Sequence, residues 1–429
     1  MKHLKRSMSV TAIVAAFTLA ASILAASAQA APETIVLWSH ASGHQQEIDI
    51  AYQIAKDFNA SQAKYKVEIK AFPNPNYNDA VVAAAAGKSL PCLLDIDAPV
   101  TPAWAWAGYL SPLSIAKNTL SKFSTTAKGI YDGKLYSLGI YDAAVGLFAK
   151  KSVLKDLGLR TPTIATPWSL KEFNDALAKA KASGKFDYAI SMGTGWDGEW
   201  YPYAYSPFLQ SFGGDLINRK NMKSAEGALN GPAAKAWGDW FQNIFASGFA
   251  PKKESATERD TGFTTGKIAF SWSGNWTAKD ALAKLGDDFV VLPPPNLGTH
   301  PVIGGGSWQW AISSTCKNKA AANEWLNFAL QSKYIARYAN DLTYVPGTQE
   351  ATLLSADYKP GAPLAIFQQL ANKYALIRPA TPAYAFISTV YEKMTKDIIA
   401  GANVQTALDA AVDEIDKNLK NSNYYKKKK

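Results

Sequence analysis

The sequence predicts an α/β protein of more than one domain, and three observations carry that prediction. From residue 34 onward, short apolar stretches alternate with longer helical patterns in the order strand, helix, strand, which gives a largely parallel sheet with helices on its faces. About 400 residues remain after the first thirty are set aside, enough for two domains with ample core. No later stretch approaches the roughly 20 apolar residues of a membrane span.

The opening elements are the clearest. Thr34 to Trp38 reads as a strand and Ser39 to Gly43 as a polar loop. An amphipathic helix follows, with Ile48, Ala51, Ile54, Ala55 and Phe58 on one face, ending at Asn59 to Ser61. Lys66 to Lys70 alternates around Val67 and Ile69 as a second strand. A Pro- and Asn-rich loop leads to an alanine-rich helix from about Asn78 to Ala86, and an apolar strand from Cys92 to Ile96 ends in Asp97. Ligands of such sheets bind at the carboxyl ends of strands, which singles out loops 39 to 44, 73 to 77 and 97 to 102.

The pattern then repeats in outline. Leu135 to Phe148 reads as extended chain and Lys151 to Leu157 as a short helix. Ser169 is placed to cap a helix from Leu170 to Ala182, with Glu172 at the capping-box position. A strand from Tyr188 to Met192 runs into the glycine-rich loop Gly193 to Glu199. Helices are expected over about 201 to 212 and 231 to 246, and strands at Ile268 to Ser271 and Phe289 to Leu292 flank a Ser-Gly-Asn-Trp turn. Pro293 to Pro295 and Gly304 to Gly306 break the chain before a strand from Trp308 to Ser313. Helices near 319 to 331, 385 to 399 and 403 to 419 complete it.

Composition excludes several function classes. The first thirty residues read as a cleaved signal peptide: Lys2, Lys5 and Arg6, an apolar run over residues 9 to 25, then Ala28, Gln29 and Ala30 as the cleavage pattern. No cysteine lies near that point, so a freely diffusing periplasmic protein is expected, without a lipid anchor. The formal charge of +10 does not signal nucleic acid. Three of those charges leave with the leader and four belong to the tail Lys426 to Lys429, leaving about +3 on the body. No basic stripe or zinc spacing appears. Cys92 and Cys316 form either one disulfide or two buried thiols. The 13 Trp and 20 Tyr are the unusual feature, many in polar, Gly- and Pro-containing stretches rather than helical stripes.

Nine motifs in fixed order carry a resemblance along nearly the whole mature chain. They are Ile35 to His40; Tyr77 and the helix leading to Gly87 to Asp97 (GKSLPCLLDID); Trp106 to Leu113 (WAGYLSPL); and Gly133 to Leu138 (GKLYSL). Then come Phe148 to Lys151, Ser273 to Trp276 (SGNW), Leu292 to Pro294 with Gly305 to Trp308 and Ala311 to Ser313, Arg378 to Pro382, and Gly401 with Ala407 to Ala411. The chain resembles the extracytoplasmic sugar-binding proteins of ABC importers, the group that includes maltose-, trehalose- and glycerol-3-phosphate-binding proteins. The resemblance implies a two-lobed periplasmic-binding-protein fold, each lobe a central mostly parallel sheet flanked by helices, joined by a multi-segment hinge. Lobe one would take 31–141 and 300–344, lobe two 146–295 and 348–425. Crossings would lie near Tyr141 to Gly146, Asn296 to Pro301 and Val345 to Gly347. Both cysteines then fall at the far edge of lobe one, where a disulfide is geometrically possible.

The implied function is capture of a sugar or sugar derivative by a monomer that delivers it to ABC permease subunits, with no catalysis, cofactor or metal. Sugar hydroxyls need paired donors and acceptors, and sugar C–H faces need flat apolar partners. The implied ligand-binding residues are His40, Tyr77, Asp97, Asp142, Trp196, Trp200, Trp276, Gly306, Trp308, Tyr344 and Arg378. Five have a plainer alternative: a surface position for His40, helix packing for Tyr77 and Trp200, a hinge role for Asp142, an inter-segment salt bridge for Arg378. Trp272 is expected in the core and His300 in a loop. A neutral sugar is the default ligand, although His40 and Arg378 could converge on an acidic group. The rival readings are a secreted carbohydrate-active enzyme drawing a carboxylate pair from Asp97, Asp142 and Glu199, and a binding protein that feeds a sensor.

Overall fold

The structure, a computed structural model, describes residues 31–426. The expected signal peptide and the last three lysines of the tail lie outside the described residues. The strands, in chain order, are β1 (Glu33–Ser39), β2 (Tyr65–Ala71), β3 (Leu93–Asp97), β4 (Leu110–Ser111), β5 (Lys128–Tyr131), β6 (Lys134–Leu138), β7 (Tyr141–Asp142) and β8 (Val145–Lys150). They continue with β9 (Tyr188–Ser191), β10 (Ile268–Gly274), β11 (Phe289–Leu292), β12 (Ile303–Gly305), β13 (Trp308–Ser313), β14 (Val345–Pro346) and β15 (Ala375–Ile377).

The first sheet has the order β2-β1-β3-β13-β6-β5, with β4 also paired to β13. β1 runs parallel to both β2 and β3, because helices Gln45–Ser61 and Asn74–Ala86 carry the chain back between them. The first helix buries Ile48, Ala51, Ile54, Ala55 and Phe58, the apolar stripe of the sequence. The amide of Asn59 then locks the helix end to β2, donating to and accepting from the Val67 backbone. The second helix starts four residues earlier than expected, since Pro73 caps it in an extended conformation and a proline fits its first turn.

The α/β class stands, but the sheets read as mostly parallel are mixed. β13 arrives from the other half of the molecule and so lies antiparallel to β3, β4 and β6, with Trp308 opposite Asp97 and Ile312 opposite Leu93. The second sheet, β11-β8-β10-β9, has one parallel pair, β9 with β10.

Each sheet has its own core. Leu37, Ile54, Phe58, Leu93, Trp310 and Trp325 pack about the first. Trp168, Phe173, Trp237, Phe270 and Trp272 pack about the second, where the indole of Trp272 also donates to the Ala204 carbonyl at 3.1 Å. Helix Leu170–Ala182 opens with the expected capping box, and Arg160 grips the same Glu172 carboxylate at 2.5 Å. The Ser273 to Trp276 stretch is a departure: β10 runs through Gly274 and a helix, Asn275–Leu285, begins at once. Helix Ser332–Leu342 was not among the expected elements, although Tyr334, Ile335, Tyr338 and Ala339 share a buried face.

The chain passes between the sheets before β8, between β11 and β13, and after helix Ser332–Leu342. There β7 and β14 pair antiparallel, Asp142 opposite Val345. Asn275 ties two passages together: its amide accepts from the Ala144 N–H at 2.9 Å and donates to the Thr343 carbonyl at 2.7 Å. Cys92 and Cys316 are disulfide-bonded across the outer ends of β3 and β13, which closes the question the sequence left open.

Candidate functional site

The polarity of the strands brings one set of ends to a common cleft. The carboxyl ends of β1 and β3 and the start of β13 face it from the first sheet. The carboxyl ends of β9 and β10 and the start of β8 face it from the second. A cavity of about 900 Å³ lies between them, lined from both sides.

On the first wall, His40 follows β1 and is 2 % exposed. Its Nδ1 meets Asp95 Oδ2 at 2.5 Å, its Nε2 lies 3.7 Å from Glu47, and its ring stacks on Trp308 with centroids 3.4 Å apart. Burial favours the neutral imidazole, but the carboxylates of Asp95, Glu47 and Asp97 outweigh it and raise the His40 pKa above its ordinary value. Glu47 is buried and accepts from Tyr141 at 2.6 Å and Tyr344 at 2.9 Å. Asp97 ends β3 beside Trp308 on the neighbouring strand.

On the second wall, Gly193 to Glu199 carries Trp196 and leads into helix Trp200–Phe212. Gly193 is required here. Its φ is +74°, and a Cβ at this position would come within 2.8 Å of the Trp200 indole. Trp196, Trp200 and Trp276 form one aromatic cluster with centroids 4.4 to 6.3 Å apart.

Arg378, just beyond β15, joins the two walls. It donates to Glu199 at 3.0 Å, lies 3.7 Å from Asp97 Oδ1, and sits 5.0 Å from the centre of the Tyr203 ring. Tyr384 and Ser388 also donate to Glu199. Burial raises the carboxyl pKa of Asp97 and of Glu199; Arg378 opposes this in both, and Asp97 adds to it in Glu199. Among the described residues, the hydroxyl of Tyr203 and the Nε of Arg378 are buried without a hydrogen-bond partner.

Of the sequence-predicted residues, His40, Asp97, Trp196, Trp200, Trp276, Gly306, Trp308, Tyr344 and Arg378 line this cavity. Tyr77 and Asp142 do not. Tyr77 is fully buried behind the wall, donating to the Trp38 carbonyl at 3.0 Å and accepting from the Asp95 N–H at 3.2 Å, so it braces the ends of β1 and β3. Asp142 is 2 % exposed and takes the Thr126 hydroxyl and the N–H groups of Ala143 and Gly306. It is a clamp between crossing segments, and burial raises its pKa. Trp200 both lines the cavity and starts the following helix; Arg378 both lines it and forms the salt bridge.

His44, Glu47, Asn74, Asn78, Tyr141 and Tyr203 also line it and were not among the residues expected from the sequence. Asn74 and Asn78 lie in or beside a loop already singled out, and that was their signal. Glu47 gave none, standing between Gln46 and Ile48 at the start of an ordinary amphipathic helix. Among the described residues no group of three or more His, Cys, Asp or Glu side chains is placed to hold a metal ion.

Residues 53–365 match the family model described as bacterial extracellular solute-binding protein. A binding protein of Brucella abortus (strain 2308) is 23% identical over 290 residues, 66% of this chain and 67% of that protein. The structure of the cyclic alpha-maltosyl-1,6-maltose binding protein from Arthrobacter globiformis is similar at a TM-score of 0.75 and 22% identity, covering 91% of this chain and 100% of that one. An ABC transporter solute-binding protein from Thermotoga lettingae TMO, bound with alpha-D-tagatose, is similar at a TM-score of 0.69 and 19% identity, covering 90% of this chain and 100% of that one.

Proposed function

Since the chain belongs to the bacterial extracellular solute-binding protein family, we propose that it captures a sugar between its two lobes and delivers it to an ABC-type permease. The observation that carries this reading is the cavity itself, where indole rings and hydrogen-bonding side chains converge from both walls. Stacking surfaces and convergent polar groups are what a polyhydroxylated ring needs. Its size accommodates either of the ligands named for the two similar structures, a cyclic oligosaccharide or a single ketose.

Lobe one comprises residues 31–141 and 300–344, and lobe two 146–295 and 348–425, with closure about the β7 and β14 crossings. A ligand touching both walls stabilises the closed form, which is the form a permease reads. With the N-terminal leader removed, the protein works in the periplasm.

Binding without chemistry fits the carboxylates. A glycosidase needs a pair free to act as acid and base or nucleophile. Asp142 is turned away into the crossing, and Glu199 is held by Arg378, Tyr384 and Ser388.

Calorimetry against a panel of mono- and oligosaccharides tests the proposal, with chromatography of the recovered ligand. We expect tight binding of a sugar that is recovered intact; a cleaved product overturns it. Trp308→Ala should weaken binding by about 1 to 2 kcal/mol through lost stacking, and unchanged affinity would remove this cavity as the site.

A further inference from the structure

The charged groups of the cavity are unevenly matched. Apart from His40 and His44, its lining holds one cation, Arg378, against four carboxylates: Glu47, Asp97, Asp197 and Glu199. Asp95 and Asp142 stand directly behind it. Both inner cations are committed, His40 to Asp95 at 2.5 Å and Arg378 to Glu199 at 3.0 Å. Among the described residues, a sugar acid entering here would meet four carboxylates, with His44 the one lining basic group not already paired with a carboxylate.

Three of the four lining carboxylates are also committed. Tyr141 and Tyr344 occupy the two oxygens of Glu47, Lys396 holds Asp197 at 2.6 Å, and Glu199 has three donors. Asp97 differs. Among the described residues it accepts no side-chain hydrogen bond; Arg378 approaches one oxygen, Oδ1, and only to 3.7 Å. The Tyr203 hydroxyl on the second wall is also buried and has no hydrogen-bond partner among the described residues. The carboxylate is directly opposite Trp308 in the strand register, so an accepting charge and an indole lie side by side at the cleft edge.

We infer that the cavity is built for a sugar carrying a free amine, with Asp97 accepting its ammonium group beside the Trp308 indole. The inference rests on sugar capture at this site and narrows it to one charge class. An ammonium would bring a positive charge within hydrogen-bond distance of Asp97, which Arg378 reaches only at 3.7 Å, and hydrogen bonds to charged groups are the stronger ones. The raised pKa of Asp97 fits the same picture, since burial, with Asp95 nearby, outweighs the opposing effects of Arg378, His40 and the Ala98 N–H.

The test is calorimetry at pH 6.5 with matched triplets of one ring: glucose, glucosamine and glucuronate, the galactose and mannose equivalents, and the corresponding disaccharides. The amine member of at least one triplet should bind about tenfold or more tighter than its neutral counterpart. In Asp97→Asn that ratio should fall to near one, with the fold checked by circular dichroism. Equal or weaker binding of the amines overturns this inference and leaves sugar capture standing. Tightest binding of a uronate does the same. Binding of no member of any triplet overturns both. A preference that survives in Asp97→Asn removes Asp97 from the role.

Discussion

The imidazole of His40 has a carboxylate on one nitrogen, a second near the other, and an indole against its ring. Its pKa is raised in the folded protein, so the stabilisation it gives is fully present below the unfolded value of about 6.5 and is lost as pH rises through the folded value. His40→Ala leaves Asp95 buried beside Glu47 without a cation, a loss of about 3 to 5 kcal/mol at low pH. Urea unfolding at pH 5.5 and 8.5 checks this: the gap between wild type and variant should narrow at the higher pH, and a gap independent of pH would remove the charge from the account. Single residues also show where the sequence stops being legible. Trp308 could be placed because three glycines precede the indole at a strand start. Tyr77 could not be resolved, because a tyrosine opening a helix reads the same whether its hydroxyl meets ligand or the backbone of β1 and β3.

At the scale of elements, legibility followed the strength of the local pattern. Helix Leu170–Ala182 was bounded correctly because its cap is written in the chain: Ser169 and Glu172 satisfy each other's backbone N–H groups wherever the helix packs. Ser169→Ala should therefore cost about 1 kcal/mol, read from the chemical denaturation midpoint. The mixed sheets were not legible, since β13 runs against β3 only because the chain has visited the other lobe, which no local pattern records. The disulfide belongs here too, because it fastens those same two strands across a separation of 224 residues. Replacing both cysteines by serine should lower stability by about 2 to 4 kcal/mol, measured as a fall in melting temperature while ligand affinity holds, as the bridge lies at the end of the strands away from the cleft.

For the molecule as a whole, the question is what holds two separately packed lobes at one distance when no ligand bridges them. Arg378 is the group placed to do so, for Asp97 ends a strand of the first sheet and Glu199 closes the loop after β9 of the second. The guanidinium stays charged because the two carboxylates outweigh its burial, so the bridge persists across ordinary pH. Elsewhere the lobes are joined by crossings that bend, such as the two-residue pairing of β7 with β14. Arg378→Met keeps the length of the side chain and removes the bridge, leaving two carboxylates to repel across the cleft. The unliganded variant should then be more open than wild type, seen in small-angle scattering as a larger radius of gyration. Superimposable scattering curves would show that the crossings, not the ion bridge, set the resting angle. Closure in this protein would then rest on Asn275 and the backbone it ties to Ala144 and Thr343.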